Sequence, residues 1–217
     1  MTIRKFFEGY AVEDLVTFFD DFISFAAADW TITTTEGGSG SASEALGTEV
    51  GGVLVVTNDD ADDDRDFFQK PGEAFLFASG KPLKFSFRGK LSDVTQSDFI
   101  AGLQITDTTP LAVTDGIFFR KNDADTGLDF VVCKDSTETV VEDVAALVND
   151  TYVKLEFYYD GTPNGTIDIF VNGARVGSAV STNAPDDEVL TPSFGVQNGE
   201  AAAKVLTVDY IGAEQVR

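Results

Sequence analysis

Alternation of apolar and polar residues dominates the chain from about residue 50 onward. In PLKFSFRGKL (82–91), Leu83, Phe85 and Phe87 fall on one face, and the residues between them are polar or charged. TYVKLEFYYD (151–160) repeats this pattern over its whole length. A period of two is typical of a strand that buries one of its faces. Both segments are therefore predicted to be half-buried strands.

A β-hairpin is predicted between residues 166 and 180. Asn172-Gly173 separates two alternating runs, TIDIFV (166–171) and ARVGSAV (174–180). The preferred two-residue hairpin turn needs positive φ at both central residues, which Asn and Gly adopt most readily.

The same reasoning predicts an all-β protein, an antiparallel β-sandwich. Turn residues separate the apolar runs at short intervals, and no series of strand–helix–strand units is visible, which favours roughly ten to thirteen antiparallel strands in two packed sheets. Most of the 19 phenylalanines are expected on the inner faces of these sheets. The further predicted strands are 51–57, 73–79, 99–106, 116–121, 128–134, 192–198 and 203–217.

The first 50 residues depart from the alternation. Residues 1–20 are predicted to form an N-terminal arm or short helix, and residues 21–217 a single jelly-roll β-sandwich domain. The Gly/Ser-rich segment 35–52 is predicted to be a flexible loop.

Charge and composition narrow the possible partners. The chain has 15 Lys and Arg against 37 Asp and Glu, a net charge of −22. Such a surface repels phosphate groups, so neither nucleic acid nor an anionic membrane is an expected partner. Acidic residues interrupt the N-terminal segment, and no signal peptide or membrane span is predicted. Asn149 and Asn164 are accordingly predicted as turn residues and not as glycosylation sites. Cys133 is the single cysteine, predicted to be buried in a strand.

The residues needed for several kinds of catalysis are missing. Histidine is absent, which excludes Ser-His-Asp and Cys-His mechanisms. Sugar hydrolysis needs two carboxylates flanking the glycosidic bond, and the Glu-x-Asp-x-x-Glu pattern of sandwich glucanases does not occur. Glu156 is the best-placed carboxylate, and Asp168 and Asp209 lie in other predicted strands. We expect no enzymatic activity, and no catalytic or cofactor-binding residue is assigned.

The most acidic stretch is TNDDADDDRDFFQK (57–70). Its alternating aspartates from Asp60 onward resemble the start of a helix–loop–helix calcium loop, but Arg65 and Pro71 stand where Gly and Glu are required. The main prediction is a solvated, mobile acidic turn leading into a strand, without assigned metal ligands. Calcium binding by loops 58–66 and 122–125 stays open. Phe67 and Phe68 cannot share one face, so one is predicted in the core and the other against a neighbour or loop.

Two resemblances extend these predictions. YVKLEFYYDGTPNGTIDIFVNGARVG (152–177) resembles the tail of the concanavalin A-like, laminin-G-like jelly roll of lectins and glucanases. The succession of FFDDF, an acidic run with FFQK, FASGKPLKFSFRGKLSD, SDFIAGLQITDT, TDGIFFRK and VDYIGAEQVR is similar to capsid decoration (cement) proteins of tailed bacteriophages. That resemblance implies a homotrimer that assembles in the bacterial host cytoplasm, binds the major capsid protein and stabilises the outer surface of the virion. It assigns no contact residues.

The alternative function is a carbohydrate-binding, lectin-like module of a phage fibre or a free protein. In that case Trp30, Tyr158 or Tyr159 would stack on sugar rings, and loop Asp and Asn residues would bind hydroxyls. The competing interpretation of Trp30 is a partly buried strand residue.

Overall fold

The computed structural model describes residues 10–125 and 127–217, and this part of the chain confirms the predicted antiparallel β-sandwich. Short 3₁₀ turns occupy Val12–Asp14, Ala27–Asp29, Pro110–Ala112 and Ser181–Asn183. The strands are β1 (Leu15–Asp20), β2 (Thr31–Thr35), β3 (Ser43–Leu46), β4 (Leu54–Thr57), β5 (Arg65–Gln69), β6 (Phe75–Leu76), β7 (Leu83–Leu91), β8 (Ser97–Gln104), β9 (Gly116–Lys121), β10 (Leu128–Lys134), β11 (Thr137–Ala145), β12 (Val153–Tyr159), β13 (Thr166–Val171), β14 (Ala174–Val180), β15 (Val189–Asn198) and β16 (Val205–Val216).

The strands form two antiparallel sheets. Sheet I has the order β14-β13-β12-β7-β16-β4-β3, and β1 also pairs with β16. Sheet II has the order β11-β10-β9-β8-β15-β5-β2, and β6 also pairs with β15. Neighbours such as β7 and β16 are far apart in sequence, so the chain crosses repeatedly between the sheets, as in a jelly roll. Within the described residues, no helix is both long and apolar enough to span a bilayer.

The core lies between the two sheets, where the alternation predicted it. Leu83, Phe85 and Phe87 are fully buried, while the polar residues between them are only partly covered. Phe85 lies opposite Phe157 in the register of β7 and β12, and the two rings stack with centroids 5.2 Å apart. The predicted hairpin is also present, with Asn172 and Gly173 both at positive φ between β13 and β14.

The N-terminal part of the sandwich differs from the prediction. Residues 15–20, assigned to an arm or helix, form β1, which pairs with β16 from Leu15↔Val216 to Asp20↔Ile211. The first nine residues of the predicted arm lie outside the described residues. The predicted flexible loop 35–52 contains β3, which pairs with β4. Edge strands bury few side chains, so their sequences carry little alternation, which also explains why the threonine-rich β2 and the acidic β11 were not predicted.

A second apolar layer covers the outer face of sheet II. Phe67, Phe118 and Cys133 belong to it, together with Ile100, Val113 and Val131. Phe118 lies over Gly102, where a Cβ would approach the Phe118 Cβ to 2.3 Å. Phe68, by contrast, points into the main core. The two phenylalanines therefore point to opposite faces, as predicted. Phe68 lies in the core, and Phe67 packs against Val113 and the partly buried Leu111 of the 105–115 loop.

Cys133 is expected to resist thiol reagents in the native protein. The side chain is buried, and burial raises the pKa of the thiol to about 11. At pH 8 the reactive thiolate is then about a thousandth of the population, and contact with the reagent requires opening of the sheet. Labelling with Ellman's reagent should be at least ~100-fold slower in the native state than in urea. A native rate within a factor of a few of the urea rate would show that this layer is open.

Candidate functional site

Two aspartates of the 57–70 stretch, Asp60 and Asp64, accept hydrogen bonds from backbone N–H groups. Asp60 Oδ1 accepts hydrogen bonds from the backbone N–H groups of Ser39 (2.7 Å) and Gly40 (3.1 Å). Asp64 accepts from the backbone N–H of Gly37 (2.6 Å) and of Ala61 (2.8 Å). The stretch is less solvated than predicted, because N–H groups of a glycine-rich loop bind and partly neutralise these carboxylates, although Asp62 and Asp63 are exposed. Its mobility stays a prediction.

Two buried asparagines, Asn58 and Asn198, hydrogen-bond to the backbone of this stretch. Asn198 Nδ2 donates to the carbonyls of Asp59 (2.8 Å) and Ala61 (2.9 Å). Asn198 Oδ1 accepts from Asn58 Nδ2 (3.1 Å) and from the backbone N–H of Lys204 (3.1 Å). The Asn198 amide thus makes four hydrogen bonds, two as donor and two as acceptor. These bonds fix the path of the stretch against β15.

A buried lysine, Lys121, directly precedes the second acidic loop, 122–125. Lys121 is buried, and its Nζ donates to the carbonyls of Asn122 (2.5 Å) and Ser97 (3.4 Å). Burial lowers the pKa of Lys121, although Asp98 opposes the shift. Gln197 connects this loop to the first one through Asp98. Its Nε2 donates to Asp63 Oδ1 (2.9 Å) and Asp98 Oδ2 (3.4 Å), and Asp98 Oδ1 accepts from the backbone N–H of Asp123 (2.7 Å).

Three carboxylates from different elements converge where β2 and β3 close one side of the sandwich. One oxygen from each of Glu36, Glu44 and Asp66 lies within 4.8 Å of the others. Asp66 is fully buried. Burial raises the pKa of Asp66 to about 7, an effect partly offset by the Thr34 hydroxyl and increased by the neighbouring carboxylates. These three residues are called the edge cluster below.

The aromatic residues predicted to stack on sugars are buried. Trp30 packs in the core, with its ring 5.3 Å from that of Phe194. Tyr159 stacks on Phe77 at 4.0 Å, and its hydroxyl donates to the Thr162 carbonyl. Tyr158 lies on the outer face of sheet I but is covered, in contact with Phe170. None of the three presents an exposed ring face. Trp30 is not the partly buried strand residue of its competing interpretation either, because it is buried in the core and lies just before β2.

The three candidate carboxylates all belong to sheet I but differ in their partners. Asp168 pairs with Arg175, and Asp209 pairs with Arg88. Glu156 is buried on the outer face of the sheet, and its Oε1 lies 2.8 Å from Lys154 Nζ. Its Oε2 is buried without a hydrogen-bond partner among the described residues. Among these three candidates, Glu156 is the one with a buried carboxylate oxygen that has no hydrogen-bond partner in the described part of the chain.

A row of residues crosses the outer face of sheet I from β12 to β1. Its members are joined by register: Glu156↔Ser86, Ser86↔Gly212 and Gly212↔Phe19. Ser86 and Gly212 form a low centre, and Phe19 at one end is 62% exposed. A Cβ on Gly212 would approach the Phe19 ring to 3.0 Å, so glycine allows this ring to lie over β16. This row is called the sheet I row.

Polar groups flank the sheet I row on both sides. Lys84 and Glu214 lie opposite each other in β7 and β16, next to a groove of about 190 Å³ that includes Phe19 and Ser86. On the other side, the Tyr210 ring lies 5.8 Å from that of Phe19. Burial and then the charge of Glu156 raise the pKa of Tyr210 to about 12, so its phenol stays protonated and can donate a hydrogen bond. The surface thus combines an exposed aromatic ring with hydrogen-bond donors and hydrogen-bond acceptors.

Comparison with known proteins agrees on the fold alone. No protein-family model matches the chain, and no curated protein does. Among solved structures, peanut lectin is 12% identical, with a TM-score of 0.61 over 93% of this chain and 97% of the lectin. An endo-1,3-β-glucanase from Streptomyces sioyaensis is 12% identical, with a TM-score of 0.63 over 96% and 99% of the two chains. An endo-β-1,4-glucuronan lyase from Trichoderma reesei is 14% identical, with a TM-score of 0.60 over 90% and 94%.

Proposed function

We propose that this chain is a carbohydrate-binding protein without catalytic activity, and that the sheet I row holds the glycan. The observation that carries the proposal is the row itself, in which the exposed Phe19 ring stands beside a groove lined by the partly exposed Lys84, Ser86 and Glu214. A sugar ring has an apolar C–H face and a rim of hydroxyls. Phe19 suits the first, and the polar groups that line the groove, Lys84, Ser86 and Glu214, suit the second.

The surroundings of the row support the same ligand. A sugar hydroxyl needs both donors and acceptors, and Lys84, Glu214 and the protonated Tyr210 phenol supply them at the flanks. The similar structures include, by their names, a lectin and two enzymes that act on polysaccharides. At 12–14% identity they indicate a shared fold, and the choice of ligand rests on the residues of the row.

A binding role is favoured over hydrolysis by the state of the other carboxylates. Glycoside hydrolysis uses a general acid and a second carboxylate on the two sides of the scissile bond. Arg175 binds one oxygen of Asp168 and Arg88 binds one oxygen of Asp209, so each of these carboxylates already has a cationic partner. The residues opposite Glu156 in the neighbouring strands are Phe170 and Ser86. Neither is a carboxylate that could act as the second catalytic group.

Replacing Phe19 by alanine is expected to weaken glycan binding about fivefold, since the stacking of one aromatic ring contributes roughly 1 kcal/mol. The measurement is isothermal titration calorimetry with a glycan that the wild-type protein binds on an array. Val180→Ala is the control, because Val180 is 52% exposed on β14 at the opposite edge of sheet I. Equal affinities for the wild type and Phe19→Ala would remove the sheet I row from the binding surface.

The second candidate is a capsid decoration protein, which the sequence resemblance implies and one structural feature favours. Within the described residues β1 pairs only with β16, so its other edge is free. Exposed apolar side chains line this region, with Phe19 62%, Ile23 73% and Val12 82% exposed. A free edge with apolar side chains suits docking onto another protein, here the major capsid protein. In this role the chain is a homotrimer on the outer surface of the virion.

Counting this chain against the major capsid protein in purified virions by quantitative mass spectrometry separates the two candidates. A ratio near one to one, or one trimer per three-fold position, supports the decoration role. A handful of copies per particle supports a glycan-binding fibre component, and complete absence eliminates the virion role.

A further inference from the structure

We propose that the edge cluster of Glu36, Glu44 and Asp66 is a calcium site that fastens sheet I to sheet II. This inference does not depend on glycan binding or on a virion role. The edge cluster lies between β2, β3 and β5, whereas the sheet I row crosses β12, β7, β16 and β1.

The first support is the state of the Asp66 side chain. It is fully buried, and neither of its oxygens accepts a hydrogen bond from the described residues. The Thr34 hydroxyl lies close enough to Asp66 to lower the pKa of that carboxyl, but by geometry its hydrogen bond goes to Glu36 Oε1 (3.4 Å). A buried carboxylate with two unused oxygens is costly, since its lone pairs have lost water without gaining a partner. A cation bound to these oxygens would supply the missing partner.

The second support is the geometry of the three carboxylates. Oxygens on opposite sides of a calcium ion lie about 4.8 Å apart, twice the Ca–O distance of 2.3–2.6 Å. The three oxygens of the edge cluster all lie within 4.8 Å of one another, so they fit around one ion. Two carboxylates face water more than Asp66 does, since Glu36 is exposed and Glu44 is half-buried, and the remaining ligands can be water molecules.

The third support is charge. No ion pair between described residues includes Glu36, Glu44 or Asp66. Three carboxylates at this separation repel one another strongly unless a cation or a proton intervenes. Every side-chain ligand in the cluster is a hard oxygen, which favours calcium over transition metals that prefer imidazole or thiolate.

The position of the cluster gives the ion a structural role. Asp66 lies in β5 opposite Thr34 of β2 in sheet II, whereas Glu44 lies in β3 opposite Val56 in sheet I. Glu36 follows β2. An ion held by all three carboxylates would connect the open edges of the two sheets. At these edges the inner faces carry the acidic residues Asp66 and Glu44, where strands nearer the centre carry apolar core residues.

Calcium titration of chelator-treated protein by isothermal titration calorimetry tests the proposal. We expect one saturable site in the wild type and at least ~100-fold weaker binding in both Asp66→Asn and Glu44→Gln. Asp62→Asn is the control for loose attraction to a chain of net charge −22, because Asp62 is exposed in the acidic stretch but outside the cluster. This control should bind calcium as the wild type does.

Thermal unfolding provides a second readout that guards against misfolded variants. Calcium should raise the melting temperature of the wild type and of Asp62→Asn, because an ion that binds only the folded state stabilises it. It should leave Asp66→Asn unchanged, while that variant unfolds cooperatively. Absence of a saturable site in the wild type, a site that persists unchanged in Asp66→Asn, or preference for magnesium over calcium would each overturn the proposal.

Discussion

Replacing Phe68 by alanine is expected to lower the free energy of unfolding by about 3–5 kcal/mol. Phe68 is fully buried and stacks on Phe194 with ring centroids 4.9 Å apart and an interplanar angle of 2°. It also meets Trp30 and Phe25 edge to face at 6.2 Å. Because rigid strands of sheet II hold these rings, the surroundings cannot collapse into the space left by the deletion, and the cost includes a cavity as well as lost burial.

Urea unfolding followed by tryptophan fluorescence measures this effect, since Trp30 is the single tryptophan and contacts Phe68. Phe19→Ala is the matched control. It removes the same atoms from a side chain that is 62% exposed, and its effect on stability should stay below about 1 kcal/mol. A loss below 1 kcal/mol for Phe68→Ala would mean that the aromatic cluster around Trp30 is not a packed part of the core.

Replacing Asn198 by alanine is expected to lower the free energy of unfolding by about 3 kcal/mol, because each buried group left without a partner costs roughly 1–3 kcal/mol. The substitution removes the hydrogen bond to the Asp59 carbonyl, and it leaves the Lys204 backbone N–H without its acceptor as well. Hydrogen exchange should also rise at Asp63, whose backbone N–H donates to the carbonyl of residue 198 (3.1 Å).

Asn183→Ala provides the comparison, since the Asn183 side chain makes one partly buried hydrogen bond to Thr139 Oγ1 (2.8 Å). Its cost should lie near 1 kcal/mol or below. If Asn198→Ala and Asn183→Ala destabilise the protein equally, or if exchange in the 57–70 stretch is fast in the wild type, the stretch is the solvated turn that its charge pattern suggested.

The strands in the middle of each sheet were predictable because one of their faces is apolar over its whole length. β7, β9, β10, β12 and β13 all lie at or within about two residues of their predicted bounds. β14 also does, although it is an edge strand, because the Asn172-Gly173 turn predicted it as the second strand of a hairpin. β1, β2, β3 and β11 were not predicted, since each lies at an edge and buries few residues. Their position depends on a partner strand distant in sequence, such as β16 for β1, which local alternation does not reveal.

The candidate site was predictable only in part. Alternation placed Glu156 on the polar face of its strand, but the row through Ser86, Gly212 and Phe19 depends on the register of four strands. The acidic stretch appeared solvated because its partners are backbone N–H groups more than 20 residues away. The one useful signal was the glycine content of 37–40, since a Cβ at Gly38 would lie 2.2 Å from Asp60 Oδ1.

A glycan array probed with the wild-type protein and with Phe19→Ala, each with and without calcium, tests the central claim most directly. If the sheet I row binds carbohydrate, the wild type binds a defined set of related glycans and Phe19→Ala loses most of that signal. Calcium should not be required, because the edge cluster lies on a different part of the sandwich. Absence of any bound glycan in both conditions, or identical binding by the two proteins, would contradict the assignment of this face as a carbohydrate-binding site.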